Sequence, residues 1–173
     1  PASGEKCKGS IMGSDDFDTD RLSLNWQWNH NPDDANWSVT ENPGYYRIKN
    51  GKVAGNIWFA RNSLTQRTVG PNFTSETCVL TENMKPGDYA GLAAISAHYG
   101  MVGVKCDENG NRYVFQGCNS DTNSGAKAKK EDRIKENARI QLKYAAYVFL
   151  LQRQVLSFLL NFLFHVDFEK TRE

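Results

Sequence analysis

From Ser14 to about Gly117 the chain alternates short apolar segments with turn residues. Segments rich in Val, Ile, Tyr, Phe and Trp are separated by Gly, Asn, Asp and Pro, which is the pattern of β-strands joined by tight turns. An alternating run that ends at Tyr46-Arg47-Ile48 is followed by an Asn50-Gly51 turn signal. Strands at this spacing favour an antiparallel β-sandwich or a barrel over parallel βαβ units.

The last third of the chain, from Ala126 to Glu173, has a different character. It contains neither Gly nor Pro, although a sandwich segment of this length needs several turns. Helix propensity and pattern predict a helix over most of it. Two alternatives follow. Either a helical appendage packs on the β domain, or this part of the sequence is not a faithful continuation of the part before it.

The most apolar segment, Ala145–Val166, is interrupted by Gln152, Arg153 and Gln154. A membrane-spanning helix needs about 20 nearly unbroken apolar residues, so we predict no membrane partner. Residues 1–13 are interpreted as a linker or terminal remnant. Residues 14–173 are predicted to form a single domain, because this length is sufficient for a hydrophobic core.

Charge and cysteine spacing exclude two classes of function. The formal net charge of +1 does not suit a protein that neutralises nucleic-acid phosphates, so no nucleic-acid partner is expected. The four cysteines contain no CxxC pair, and a zinc site therefore has no support from spacing. Their disulfide pairing stays open among three full arrangements.

The segment LNWQWNHNPDDANWS, residues 24–38, holds three of the four tryptophans among Asn, Asp, His and Pro. In a strand, Trp26 and Trp28 would share one face. The two indoles could fill a sandwich core, or they could form a surface on which a sugar ring stacks. Asn29 and Asn31 are the residue types that would bind sugar hydroxyls at its rim.

A second polar constellation lies in ARNSLTQRT, residues 60–68. Arg61, Gln66 and Arg67 are candidates for hydrogen bonds to sugar hydroxyls or to a neighbouring catalytic domain. Strict strand alternation would place Asn62 and Gln66 on the same side. The alternative is a surface strand with solvated arginines.

These motifs together resemble one known family. The stretch that runs from Asp15 through WQWNHNP and NPGYY, then ARNSLTQRTVGP and MKPGDYAGLAAISAHYGMVGVK, is similar to the C-terminal β-sandwich domain appended to family 43 glycoside hydrolases of the β-xylosidase and α-arabinofuranosidase group. The resemblance covers Asp15 to about Tyr113, while the C-terminal third matches poorly. It implies an all-β, concanavalin-like jelly roll and a secreted or cell-surface protein.

The acidic segment DDFDTD offers clustered oxygen ligands of the kind that Ca²⁺ prefers. Because β-sandwich carbohydrate-binding domains often carry a structural calcium ion near the chain ends, the resemblance makes Asp16 and Asp18 candidate ligands. Asp167 could complete the site if the last strand pairs beside the first. The alternative is a polar loop that enters the first strand.

The resemblance leaves three hypotheses about function. The first, which we predict, is a non-catalytic carbohydrate-binding module that recognises xylan-type or other plant cell-wall polysaccharide and targets an attached glycoside hydrolase. The second is a structural accessory domain that packs on a catalytic propeller in the same polypeptide and shapes its active site. The third is a free-standing glycosidase, which is not expected because the family's catalytic acids belong to the propeller domain.

Overall fold

A computed structural model describes residues 12–68, 72–95, 99–119, 127–134 and 139–147. The chain divides into two compact units, Pro1–Thr68 and Val69–Glu173, which we call unit one and unit two.

Unit one consists mostly of turns and loops, with short strands and two 3₁₀ helices. Its strands form two antiparallel pairs, β1 with β4 and β2 with β3. The elements in chain order are β1 (Gln27–Trp28), a 3₁₀ helix (Asp34–Asn36), β2 (Trp37–Ser38), β3 (Arg47–Ile48), a 3₁₀ helix (Ile57–Phe59) and β4 (Leu64–Thr65).

Unit two contains the long strands, arranged in two antiparallel sheets. Four strands follow one another in the order β6-β7-β8-β9, and β5 pairs with β10 along its whole length. The strands are β5 (Asn72–Leu80), β6 (Tyr89–Ile95), β7 (Tyr99–Cys106), β8 (Arg112–Asn119), β9 (Lys127–Ile134) and β10 (Arg139–Tyr147).

The hydrophobic core of unit two lies between its two sheets. Val102, Val104 and Val114 from β7 and β8 form one buried cluster with Ile140 and Leu142 from β10. Alternate residues of a strand share a face, so one face of each sheet supplies this core. The two sheets therefore pack face to face, and the predicted all-β antiparallel sandwich is confirmed.

The helix predicted for the C-terminal third is wrong where the structure describes it. Lys127–Ile134 pairs with β8, and Arg139–Tyr147 pairs with β5. Lys, Glu and Ala favour helix locally, but long-range strand pairing and burial override that preference. Residues 148–173, which include the interrupted apolar segment and Asp167, lie outside the described residues.

In the described part of the chain, no helix is long and apolar enough to cross a membrane. Cys78, Cys106 and Cys118 form no disulfide with one another, and Cys7 lies outside the described residues. The division into a linker over 1–13 and one domain over 14–173 stays a prediction.

Candidate functional site

Five aromatic side chains of unit one form a continuous series of ring contacts, which we call the aromatic cluster. Phe17 lies between Trp26 and Tyr46, with ring centroids 5.9 and 5.7 Å apart. Tyr46 contacts Trp37 at 6.1 Å, and Trp37 contacts Trp28 at 5.1 Å. All five side chains are half-buried. The tryptophan segment thus supplies the small core of its own unit, which accounts for its indoles in a polar neighbourhood.

Asp15 holds one end of the aromatic cluster in place. Its Oδ2 accepts a hydrogen bond from the Trp26 indole Nε1 at 2.8 Å, and its Oδ1 accepts one from the Phe17 backbone N at 2.9 Å. Burial alone would raise the pKa of Asp15, but these hydrogen bonds outweigh it and hold the pKa below its ordinary value. Phe17 adopts a left-handed backbone with a φ of 51°, so this carboxylate also stabilises a strained turn.

Trp26 and Trp28 are the two end members of the series of ring contacts that forms the aromatic cluster. Strand β1 covers only Gln27–Trp28, and the Trp26 backbone N donates to the Ser23 carbonyl at 3.2 Å in a turn. Strand alternation therefore does not extend to Trp26. Neither indole is fully buried and neither is fully open, and their role in sugar binding stays a prediction.

Asn62 is the residue of this region that sequence reasoning missed. Its side chain is 2% exposed, its Oδ1 accepts from the Asp33 N at 2.8 Å, and its Nδ2 donates to the Asp33 and Asn36 carbonyls at 3.3 and 3.2 Å. Its own carbonyl accepts from the Tyr46 hydroxyl at 2.6 Å, and burial raises the pKa of Tyr46 well above its ordinary value. Asn62 thereby connects the loop after β1 to the aromatic cluster.

The backbone of Asn62 also corrects the strict alternation expected over residues 61–67. Its φ is +59°, which is a left-handed turn conformation, and strand β4 begins only at Leu64. A left-handed residue reverses the chain locally, so side-chain directions cannot be counted through it. The residue type could have indicated this left-handed turn, because Asn adopts such a conformation more readily than most residues.

Two of the predicted rim amides are bound within unit one. The Asn29 Nδ2 donates to the Ile57 carbonyl at 3.2 Å. The Gln66 side chain pairs with the Gly13 backbone in both directions, accepting at 3.0 Å and donating at 2.9 Å. These contacts attach neighbouring segments to the β1–β4 pair, so both amides have a structural task.

The other three predicted rim residues face solvent. Asn31, Arg61 and Arg67 are exposed. The antiparallel pairing of β1 with β4 places the two sequence segments that carry all these residues side by side. The candidate site residues therefore fall into an internally bonded group and an exposed group.

An exposed aromatic pair stands beside the same loop. Phe59 is 59% exposed, and its ring stacks on that of His30, which is also exposed, with centroids 6.5 Å apart and planes 28° apart. The 3₁₀ helix that carries Phe59 is capped by Asn56, whose side-chain oxygen accepts from the Trp58 N at 3.0 Å. A capped turn thus presents an apolar ring to solvent.

The predicted calcium ligands are not assembled by the described residues alone. Asp16 and Asp18 are exposed, and Asp15 is committed to Trp26 and Phe17. Among residues 12–68, 72–95, 99–119, 127–134 and 139–147, no group of three His, Cys, Asp or Glu side chains lies close enough to hold a metal ion. Asp167 lies outside these ranges, so calcium binding stays a prediction.

The fold and these motifs define a class: a concanavalin-like antiparallel β-sandwich of the type found beside carbohydrate-active catalytic domains. The family model of the β-xylosidase C-terminal concanavalin A-like domain matches residues 14–158. The chain belongs to this family. The match also extends well beyond Tyr113, where the sequence resemblance was expected to fade, and it includes β9 and β10.

Similar proteins are enzymes of glycoside hydrolase family 43. A β-xylosidase of Formosa agariphila is 34% identical over 124 residues, covering 58% of this chain and 21% of that protein. A putative β-xylosidase of Xylanibacter ruminicola is 38% identical over 100 residues, covering 55% of this chain and 18% of that protein. The chain therefore spans about a fifth of the length of these relatives.

This chain also resembles part of two solved structures of GH43 proteins. A bifunctional GH43-CE protein of Bacteroides eggerthii superimposes with a TM-score of 0.73 at 33% identity, covering 83% of this chain and 18% of that one. A GH43 glycoside hydrolase engineered to display both endo-xylanase and exo-arabinofuranosidase activity gives a TM-score of 0.72 at 25% identity, covering 85% and 30%.

Proposed function

We propose that this chain is a non-catalytic accessory domain of a family 43 glycoside hydrolase, and that unit one packs on the catalytic domain and helps to shape its active site. Membership of a family of β-xylosidase C-terminal domains supports this function. So does the small share of each relative that the chain covers. The proposal includes a secreted or cell-surface location and a xylan-type substrate for the whole enzyme.

The exposed Phe59 ring is the observation that carries this proposal. An exposed aromatic side chain on a turn that is capped by a hydrogen bond resembles the aromatic anchors that dominate protein interfaces. Leu24 and Val53 are also exposed almost completely.

The hydrogen bonds of the predicted sugar site favour the same function over an open sugar platform. The Trp26 indole, the Asn29 amide and the Gln66 amide are already bonded within unit one. A sugar hydroxyl would have to replace these partners, and exchanging one hydrogen bond for another returns little net free energy.

A domain exchange tests the accessory function. In the Formosa agariphila β-xylosidase, the C-terminal domain is replaced by residues 14–173 of this chain, and hydrolysis of an aryl xyloside is compared with that of the enzyme truncated before the domain. We expect the chimera to be more active and more heat-stable than the truncated enzyme. Phe59→Ala in the chimera should lower its activity severalfold, because an interface anchor is lost.

Lys52→Ala is the matched control, since Lys52 is exposed in the same unit and has no place in the proposal. It should leave the chimera unchanged. A truncated enzyme as active and stable as the chimera would contradict the accessory function. Aryl-glycoside hydrolysis by the isolated chain would favour the free-standing glycosidase instead.

The carbohydrate-binding module is the second candidate, and the exposure of Asn31, Arg61 and Arg67 favours it. Polar side chains beside half-exposed indoles suit a polyhydroxylated ligand. The isolated chain would then be retarded in a native gel that contains soluble xylan. Trp28→Ala should reduce that retardation, whereas equal mobility with and without xylan would exclude this candidate.

A further inference from the structure

Four side chains of unit two form a row across the four-stranded sheet. Antiparallel pairing places Tyr89 of β6 opposite Lys105 of β7, Lys105 opposite Tyr113 of β8, and Tyr113 opposite Arg133 of β9. Residues directly opposite each other in antiparallel strands lie on the same face. The row therefore alternates two aromatic rings with two cations, and we call it the tyrosine–cation row.

The row lies on the face of the sheet that points away from the core between the two sheets. Its chain neighbours Val104 and Val114 belong to that core, and successive side chains of a strand point to opposite faces. Tyr89 is 57% exposed and Arg133 is exposed, while Lys105 and Tyr113 are half-buried. All four side chains thus reach solvent.

Contacts within unit two hold the row in one arrangement. The Tyr89 ring stands edge-on against the buried Phe115, with centroids 5.4 Å apart and planes 89° apart. The Lys105 Nζ lies 5.6 Å from the centroid of the Tyr113 ring, which is a cation–π distance. These contacts reduce the conformational entropy that a ligand would otherwise have to remove on binding.

The turn between β7 and β8 anchors the other end of the row. The Arg133 guanidinium donates to the Asn111 side-chain oxygen. The Tyr113 hydroxyl donates to the Asp107 Oδ2 at 3.2 Å, and this carboxylate also accepts hydrogen bonds from Asn109 and Asn111. The Asp107 carboxylate therefore accepts several hydrogen bonds from its own turn and from Tyr113. The two charged members of the row, Lys105 and Arg133, are both cations.

We propose that the tyrosine–cation row binds a polysaccharide that carries uronic acid carboxylates. The exposed Tyr89 ring offers a face on which a pyranose ring can stack. Lys105 and Arg133 lie on either side of Tyr113, where they can donate charge-assisted hydrogen bonds to carboxylates. Adjacent strands lie about 4.8 Å apart, so successive members of the row suit groups along an extended sugar chain. This site lies in unit two and is independent of the function proposed for unit one.

Affinity electrophoresis of the full chain tests this site. The native gels contain a glucuronic-acid-substituted xylan, the same polymer after chemical reduction of its carboxyl groups, or no polysaccharide. We expect retardation by the acidic polymer, and loss of most of that retardation with the reduced one. Added salt should weaken the binding, because exposed charge pairs are screened.

Two variants locate the site. Tyr89→Ala and Arg133→Gln should each raise the dissociation constant about tenfold, as expected for one aromatic contact or one charge-assisted hydrogen bond. Ile48→Ala is the matched apolar control, because its side chain in unit one is also exposed. Lys85→Gln, an exposed residue in the turn before β6, is the matched cation control, and neither control should change the dissociation constant.

Three results would overturn the proposal. They are the absence of retardation by the acidic polymer, equal retardation by the reduced polymer, and unchanged binding by both row variants. Loss of binding in Trp28→Ala but not in Tyr89→Ala would assign the sugar site to unit one. None of these results bears on the domain exchange, so the two proposals fail separately.

Discussion

At the scale of single residues, Asn62 combines a left-handed backbone with an almost completely buried side chain. Its amide satisfies one backbone donor and two backbone acceptors of the loop that follows β1. A buried group that loses its partner costs more than the net value of one hydrogen bond. The loop that carries His30 and Asn31 therefore depends on a residue outside it.

Asn62→Ala should lower the free energy of unfolding by about 2–4 kcal/mol, because it removes three hydrogen bonds and leaves the Asp33 N without its acceptor. It also places Ala at a positive φ that Asn tolerates better. Urea denaturation measures this loss. Asn31→Ala, in the same loop but exposed, is the control and should change stability by less than about 0.5 kcal/mol. Equal effects of the two substitutions would show that the buried amide has no special role.

Asp15 links the stability of unit one to pH. Its pKa is lowered in the folded state from an ordinary value of 3.8, so its contribution is present above that value and is lost as the pH falls through the folded-state pKa. Tryptophan fluorescence should therefore report unfolding of unit one in acid. Asp15→Asn should remove this contribution to stability at neutral pH and make the stability of unit one less dependent on pH in acid. Asp18→Asn changes an exposed residue and should leave both the stability and its pH dependence unchanged.

At the scale of secondary-structure elements, the β6–β7 pair requires glycine where its backbones approach most closely. A Cβ atom on Gly103 would lie 2.4 Å from the Ala90 carbonyl oxygen and 3.1 Å from the Phe115 ring. The directly opposite Gly91 has a φ of +159°, and a Cβ there would lie 2.2 Å from the Val102 oxygen. Any larger residue would push the two strands apart.

Gly103→Ala should destabilise unit two by about 3 kcal/mol, because an inserted methyl group forces the backbone of a packed sheet to shift. Thermal unfolding followed by circular dichroism measures the change. Gly55→Ala is the control, since a Cβ at Gly55 would meet nothing within 4 Å. A melting temperature for Gly103→Ala equal to that of the control would contradict the close approach of β6 and β7.

At the scale of the whole molecule, a strand from the end of the described chain completes a sheet begun near its middle. β10 pairs with β5 from Arg139 opposite Leu80 to Tyr147 opposite Asn72. It also supplies Ile140 and Leu142 to the core of unit two. The described strands of the last third, β9 and β10, are therefore part of the sandwich, although the local composition favours a helix.

Truncation after residue 138 should abolish cooperative unfolding of unit two, because it removes two core side chains and leaves β5 as an unpaired edge. Circular dichroism melting and light scattering measure the loss of the transition and the resulting aggregation. Leu142→Ala is a milder variant of the same region and should cost about 2–5 kcal/mol while retaining the fold. A truncated chain that melts like the complete one would contradict the role of β10.

Sequence patterns predicted the features that depend on neighbouring residues. The alternation of apolar segments with Gly, Asn and Pro indicated a sandwich or a barrel over residues 14–117, and the combined motifs indicated the family and its concanavalin-like sandwich. The family and the sandwich are confirmed. The spacing of apolar side chains and the residue types of turns depend only on neighbouring positions, so they can be read from a single sequence.

Only the tertiary structure decided which residues are paired over long distances. β9 and β10 are strands because distant partners complete their hydrogen bonds, and Ile140 and Leu142 of β10 are buried in the core of unit two. Local helix propensity does not register these long-range contacts. The Gln66 amide binds Gly13, 53 positions away, and this cannot be read from residue type. The tyrosine–cation row likewise exists only through strand register, because its four members are dispersed between Tyr89 and Arg133.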